Sequence, residues 1–324
     1  MISPATPPKL SRNALAHLLM FAMVIIWGTM FVLVKEALAH IGPQWFNAWR
    51  MILAFACLAV VYRSQWKQLT RTAWLAGAAA GACMAAGFFF QAQGLLYTTA
   101  TNSAFLTAMV VVLVPFLASI PGLRSPGAAL PQWTAWVGAL LAFLGVVLLT
   151  TAADTPWLLI FRTLNRGDVL TLACALGFAL QIIALDHGAK CVRFDQLALL
   201  QIGFAMVFLT VAACFTEPPG PGVWNHLFSA ASPLRSPIFL FAVGAAGILA
   251  TALAFSIQTW SQQIIPATNI AVIVTLEPVV AWLTAFVVLH ESLDLRRGMG
   301  ALLVLTGILA AEILPRWRQR SAQN

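Results

Sequence analysis

Glu277 and Pro278 put a carboxylate beside a helix breaker, deep inside the run "TLEPVVAWLTAFVVLHE" at 275–291. No Asp, Glu, Lys or Arg occurs from 236 to 276, and none follows Glu277 until Glu291. A charged group in hydrocarbon costs at least about 2.5 kcal/mol, so such a residue must face a protein interior or water. Pro278 donates no backbone hydrogen bond, which predicts a freed carbonyl one turn earlier, near Val274. Together they form a polar break whose carboxylate can take a coupling proton or a polar solute. The competing reading is a packing device, with the acid satisfied by a neighbouring helix.

Other residues of this kind lie in equally apolar surroundings. Arg50 falls about seven residues into its apolar run, roughly 10 Å from the nearer end at 1.5 Å per residue. Its guanidinium keeps its charge. It therefore snorkels to the surface, or pairs with a carboxylate belonging to Glu277 or to a solute. Gln91 and Gln258 stand 167 residues apart, as do Asn102 and Asn269. These amides either join helices, at about 0.6 kcal/mol per bond, or line a pathway. Trp27, Trp260 and Trp282 lie deep enough to wall a pocket, and Gly28 allows close packing beside Trp27. The candidate pathway is thus Glu277, Arg50, Gln91, Asn102, Gln258, Asn269, Trp27 and Trp260, with Pro278 as its break. Gln181, Gln201 and Asn47 are of the same type but have no recognised mates.

Several chemistries are not supported. The five cysteines (57, 83, 174, 191, 214) show no CxxC spacing, and the five histidines show no HExxH. No metal site or cofactor is expected from these spacings. No phosphate-binding GxxxxGK[ST] loop occurs, so ATP-driven work would need a partner. The net charge of +8 suggests nucleic acid, but the basic residues lie between apolar runs and form no patch. No nucleic-acid partner is expected.

The elements that must position these residues follow from composition. The chain is 61% hydrophobic and 9% charged, against about 45–50% and about 25% in soluble domains. It carries no charge at all over 72–123, and a spanning helix needs only about 20 apolar residues. The expected fold is all-α and polytopic, with the lipid bilayer as solvent. Ten spans are expected near 14–35, 43–62, 74–96, 100–120, 132–152, 168–187, 196–215, 237–258, 266–290 and 297–314. The first is read as a retained helix and not a cleaved leader, because its apolar run is too long and Lys35-Glu36 intervene. With the N-terminus inside, eleven Lys and Arg fall in cytoplasmic segments and six outside. That excess predicts cytoplasmic N- and C-termini.

Residues 77–118 shifted by 167 meet a second copy. Gly77-Ala78-Ala79 meets Gly244-Ala245-Ala246, Phe88 meets Phe255, and Ala100-Thr101-Asn102 meets Ala267-Thr268-Asn269. After a short gap, "GALLAFLG" at 138–145 meets "GALLVLTG" at 300–307. The expected organisation is a segment 1–13, a first repeat 14–152, a connector 153–167, a second repeat 168–314 and a tail 315–324. Each repeat holds five spans, an odd number, so the two copies enter the membrane from opposite sides. Inverted repeats of this kind place a transporter's site at the repeat interface.

Three stretches carry a family resemblance: "WGTMFVLVKEAL" at 27–38, "ATNSAFLTAMVVVLVP" at 100–115 and "PATNIAVIVTLEPVVAWLTAFVVLHESL" at 266–293. In their order and spacing the chain resembles the ten-helix EamA type of the drug/metabolite transporter superfamily, over about 14–314. The resemblance implies an inner-membrane secondary transporter, often an exporter, of amino acids or other small metabolites. Its partners would be a small-molecule substrate, the bilayer and a coupling proton. Two departures stand out. His290-Glu291 replaces the family's frequent Gly-Glu, and Val111 stands where the second copy has Pro278. The alternatives are an intramembrane enzyme acting on lipid, for which no cluster of acids or histidines is visible, and a non-transporting membrane protein. No enzyme activity is expected.

Overall fold

The computed structural model describes residues 11–38, 41–98, 100–150, 165–217, 237–289 and 295–312. Among these residues there is helix and connecting turn but no strand. The termini, the Pro/Gly-rich stretch 218–236, the 290–294 segment and most of the expected 153–167 connector lie outside the described residues.

The helices follow the expected spans. They are α1 (Arg12–Ala37), α2 (Pro43–Val61), α3 (Arg71–Leu95), α4 (Ala100–Thr107), α5 (Val110–Ser119), α6 (Trp133–Thr150), α7 (Arg166–Ala189) and α8 (Phe194–Thr216). Next come α9 (Pro237–Gly244), a π-helical stretch (Ala245–Leu253) and α10 (Ala254–Ser261), stacked into one rod. The chain continues through α11 (Ala267–Val274), α12 (Glu277–Leu289) and α13 (Leu295–Glu312). Among the described residues, seven segments are long and apolar enough to cross a membrane. Three shorter apolar helices, Ser103–Ser119, Trp133–Leu148 and Gly298–Ala311, lie at three of the other expected spans.

The polarity is inverted relative to a soluble bundle. Phe215 is 82% exposed, and Val60, Leu75 and Leu249 also face outward, whereas Gln181, Gln201 and Gln258 are 1% exposed or less. With hydrocarbon outside, burial of apolar surface drives little, and close packing with interhelical hydrogen bonds must hold the helices. The pairing of α6 with α13 illustrates this. A Cβ on Gly138 would lie 2.7 Å from the Gly307 carbonyl oxygen, and one on Gly145 would lie 2.6 Å from that of Gly300. Gly138 and Gly300 are repeat mates, as are Gly145 and Gly307. The mates therefore pair crosswise, and the two helices run antiparallel about a local two-fold axis. The repeat seen in sequence is a symmetry of the packing.

Two spans are broken at matching places. Between α4 and α5 the break is Ala108–Met109, and between α11 and α12 it is Thr275–Leu276, the same positions after the 167-residue shift. Both are tight turns with bonds to the third residue back. Met109 N donates to Leu106 O at 3.2 Å, and Leu276 N to Ile273 O at 3.1 Å. The proline is not what makes the break, because the first copy breaks with Val111 in its place. Pro278 instead occupies the second position of α12, where a missing N–H goes unused in any case.

Candidate functional site

The broken α11–α12 span places Glu277 first in α12, at the helix end whose free N–H groups favour a negative charge. Backbone approach is close here. A Cβ on Gly28 of α1 would lie 2.7 Å from Val280 Cβ and 2.9 Å from the Glu277 carbonyl oxygen. Only glycine lets α1 pack against the break, and the neighbouring Trp27 then faces the space in front of it. That space is a cavity of about 90 Å³, room for several waters or the polar part of a small solute.

The cavity gathers five of the eight candidate residues: Glu277, Arg50, Gln91, Gln258 and Trp27. Among the described residues, no donor or cation engages the Glu277 carboxylate. Arg50 is 5% exposed, so the snorkelling alternative is overturned. Its Nε and Nη2 donate to Thr251 Oγ1 at 3.2 and 2.9 Å, and the guanidinium lies 4.3 Å over the Phe88 ring. Nor does it pair with Glu277. Two of a guanidinium's five N–H donors are thereby committed, and no carboxylate among the described residues takes the others.

The π-helical stretch supplies these contacts. Thr251 Oγ1 donates five residues back to the Ala246 carbonyl at 2.7 Å, and Trp27 Nε1 donates to the Ala250 carbonyl at 2.7 Å. Widened helices of this kind are rare and occur frequently at functional sites. Its repeat counterpart within α3 is ordinary α-helix, so the halves differ here. Aromatic rings wall the cavity. Phe88 and Phe255, which are repeat mates, lie 5.9 Å apart, and Phe178 lies 5.0 Å from Phe88. Mates that meet must straddle the axis relating them, so the axis runs beside the cavity. Asn47 steadies this wall by donating to the Phe88 carbonyl at 3.0 Å.

The other candidates fall elsewhere. Asn269 lines a second cavity, of about 390 Å³, with Arg124, Asp186, Lys190 and Gln262. This one lies at the membrane end where α1 and α3 begin. Ser125 bonds both Asp186 and His187 there, which ties the turn before α6 to the end of α7. Trp260 lines neither cavity and packs against an apolar cluster that includes Met20, Val114, Ile183, Ile265 and Ile270. Residues of that cluster line both cavities, Val110 and Ile182 the first and Ile183, Ile265 and Ala267 the second. The Asn102 side chain lies outside the described residues. Trp282 Nε1 is buried without a partner and also sits outside the cavity.

Sequence reasoning missed Phe178, Thr107 and Thr251. Phe88 and Phe255 mark the repeat in sequence, and two aromatic mates in register are also a signal of shared lining. Among the described residues, no group of three or more His, Cys, Asp or Glu could hold a metal ion.

Comparison with known proteins agrees with this architecture. The model of the EamA-like transporter family matches residues 14–151 and 165–311. An uncharacterized transporter of Archaeoglobus fulgidus is 29% identical over 313 residues, covering 93% of this chain and 87% of that protein. The uncharacterized transporter YcxC of Bacillus subtilis is 23% identical over 292 residues, covering 89% of each. A solved crystal structure superposes with a TM-score of 0.70 at 18% identity, over 94% of this chain and 98% of that one. At that identity the likeness extends to the fold alone.

Proposed function

The chain belongs to the EamA-like transporter family, and on that premise we propose that it is a secondary carrier for a small amphipathic zwitterion such as an amino acid. One observation carries the reading. Glu277 and Arg50 line the same cavity, yet neither has a partner of opposite charge among the described residues. An unpaired acid and an unpaired base inside one apolar wall are complementary to an ammonium and a carboxylate carried by one solute. The packed rings of Phe88, Phe178 and Phe255 offer an apolar wall against which a solute's side chain can rest. A hydrogen bond to a charged group contributes about 1.5–3 kcal/mol, so each end of the solute matters by tenfold or more.

Transport runs by alternating access between the two inverted halves. Termini in the cytoplasm, as the Lys and Arg distribution supports, put the second cavity on the inner side. The apolar cluster between the cavities is then a closed inner gate, and the central cavity reaches outward as far as Val34 and Leu95. Net export of a metabolite across the inner membrane fits the family, and Glu277 is the candidate for a coupling proton.

The test uses purified protein in sealed vesicles loaded with L-phenylalanine. Saturable counterflow of labelled L-phenylalanine is expected, with 3-phenylpropionate and phenethylamine at least about tenfold weaker as competitors. Equal competition by a probe lacking one charged end overturns the zwitterion reading. Absence of counterflow for any amino acid in a full panel overturns its substrate class.

A further inference from the structure

Two cavity residues, Gln258 and Gln181, begin a hydrogen-bond chain that runs away from the cavity into the packed helices. Gln258 Nε2 donates to Gln181 Oε1 at 3.4 Å, and Gln181 Nε2 donates to Gln201 Oε1 at 3.1 Å. Gln201 Nε2 then donates to Thr259 Oγ1 at 2.7 Å, and the Thr259 hydroxyl donates to the Phe255 carbonyl at 2.6 Å. All four side chains are 0–1% exposed.

The chain has a direction, and Thr259 sets it. Its single proton goes to the Phe255 carbonyl one turn back, which leaves only lone pairs for Gln201. Gln201 must therefore present its amino group to Thr259 and its oxygen to Gln181. The same logic turns Gln181 and then Gln258, since an amide's orientation is read from its partners. The chain ends at Gln258 Oε1, which is buried and accepts no hydrogen bond. A buried acceptor without a donor is destabilising, and a solute that brings an N–H removes the penalty.

We propose that Gln258 Oε1 is a fixed acceptor that selects solutes bearing an N–H donor. Gln201 and Thr259 are positioning residues, which act on the solute only through Gln258. The role belongs to one half of the protein. The repeat mate of Thr259 is Ala92, so Gln91 sits in the corresponding place with no hydroxyl to orient it, and it makes no side-chain hydrogen bond among the described residues. The symmetry that built the cavity is thereby broken where selection needs a single direction. The inference rests on the proposed reading only in taking the cavity as the solute site.

The test compares phenethylammonium with its N,N,N-trimethyl form by titration calorimetry on the purified full-length protein. Both carry one positive charge and the same ring, but only the first has N–H donors. The wild-type protein should prefer phenethylammonium by about tenfold or more. Thr259→Val leaves the cavity lining untouched and removes the anchor, so the preference should fall to within about threefold. Thr259→Ser should keep it. If Thr259→Val does not fold, Gln201→Leu breaks the same chain and should give the same loss. A preference that survives both substitutions comes from the bulk of the methyl groups and overturns the proposal. Equal binding of the two probes, or binding of neither, also overturns it. Failure of the carrier reading would instead show as missing counterflow in vesicles, with this binding ratio intact.

Discussion

A single methyl group added at Gly28 probes whether the closeness of α1 to the broken span matters. In Gly28→Ala the new Cβ would lie 2.7 Å from Val280 Cβ, 2.8 Å from Val280 Cγ1 and 2.9 Å from the Glu277 carbonyl oxygen. Ordinary contact begins at 3.4 Å, so relieving the 2.7 Å approach requires the helices to part by about 0.7 Å. No rotamer change relieves it, because Val280 Cβ and the Glu277 carbonyl are fixed to the backbone. Overpacking of this kind costs about 1–3 kcal/mol. At roughly 2 °C per kcal/mol for a long chain, the unfolding midpoint in detergent should drop by about 2–6 °C. Gly298→Ala is the control, since a Cβ there meets nothing within 4 Å, and its midpoint should match the wild type. If Gly28→Ala matches the wild type too, α1 and the break are not packed as described. Glycine is then not what brings Trp27 and Glu277 to one cavity.

The remaining predictions concern the cavity and its ends. Glu277→Gln should abolish dependence of transport on an imposed proton gradient at near-normal protein abundance. Continued gradient-driven accumulation would remove Glu277 as the coupling site, and loss of abundance would mark it as structural. Arg50→Lys should raise KM for a carboxylate-bearing substrate by about 10–100-fold, because an ammonium cannot hold Thr251 and a carboxylate in the guanidinium's planar geometry. An unchanged KM would leave Arg50 with a packing role only. In a background lacking the native cysteines, a cysteine at 269 should react with a membrane-impermeant thiol reagent from the cytoplasmic side. One at 91 should react from the outside and be protected by substrate. Reaction of 269 from the outside would invert the orientation and the direction of the gate.

Much of this protein was determined by sequence alone, because the solvent writes itself into composition. A charge-free run from 72 to 123 has one stable environment, and backbone hydrogen bonding there admits helices for a run of this length. The repeat was equally legible, since Gly138/Gly300, Gly145/Gly307 and Gln91/Gln258 must recur in register if two copies share a packing pattern. Depth along a span was estimated at about 1.5 Å per residue, which is why Glu277 and Arg50 stood out as residues needing a polar neighbour. Direction around the helix was not. Every span is apolar on nearly all sides, so no stripe marks which face turns inward. Trp27 and Trp260 therefore looked alike, and both pack against the same apolar cluster, although Trp27 lines the cavity and Trp260 does not. The cause of the helix break was likewise hidden. Pro278 advertised it in one half, while the matching break at Ala108–Met109 carries no such mark. Only the tertiary structure showed that Arg50 rests on Thr251, 201 residues away, leaving it and Glu277 unpaired in one cavity. Contacts between distant segments depend on how helices rotate and approach one another, and local residue types in a uniformly apolar chain do not encode that rotation.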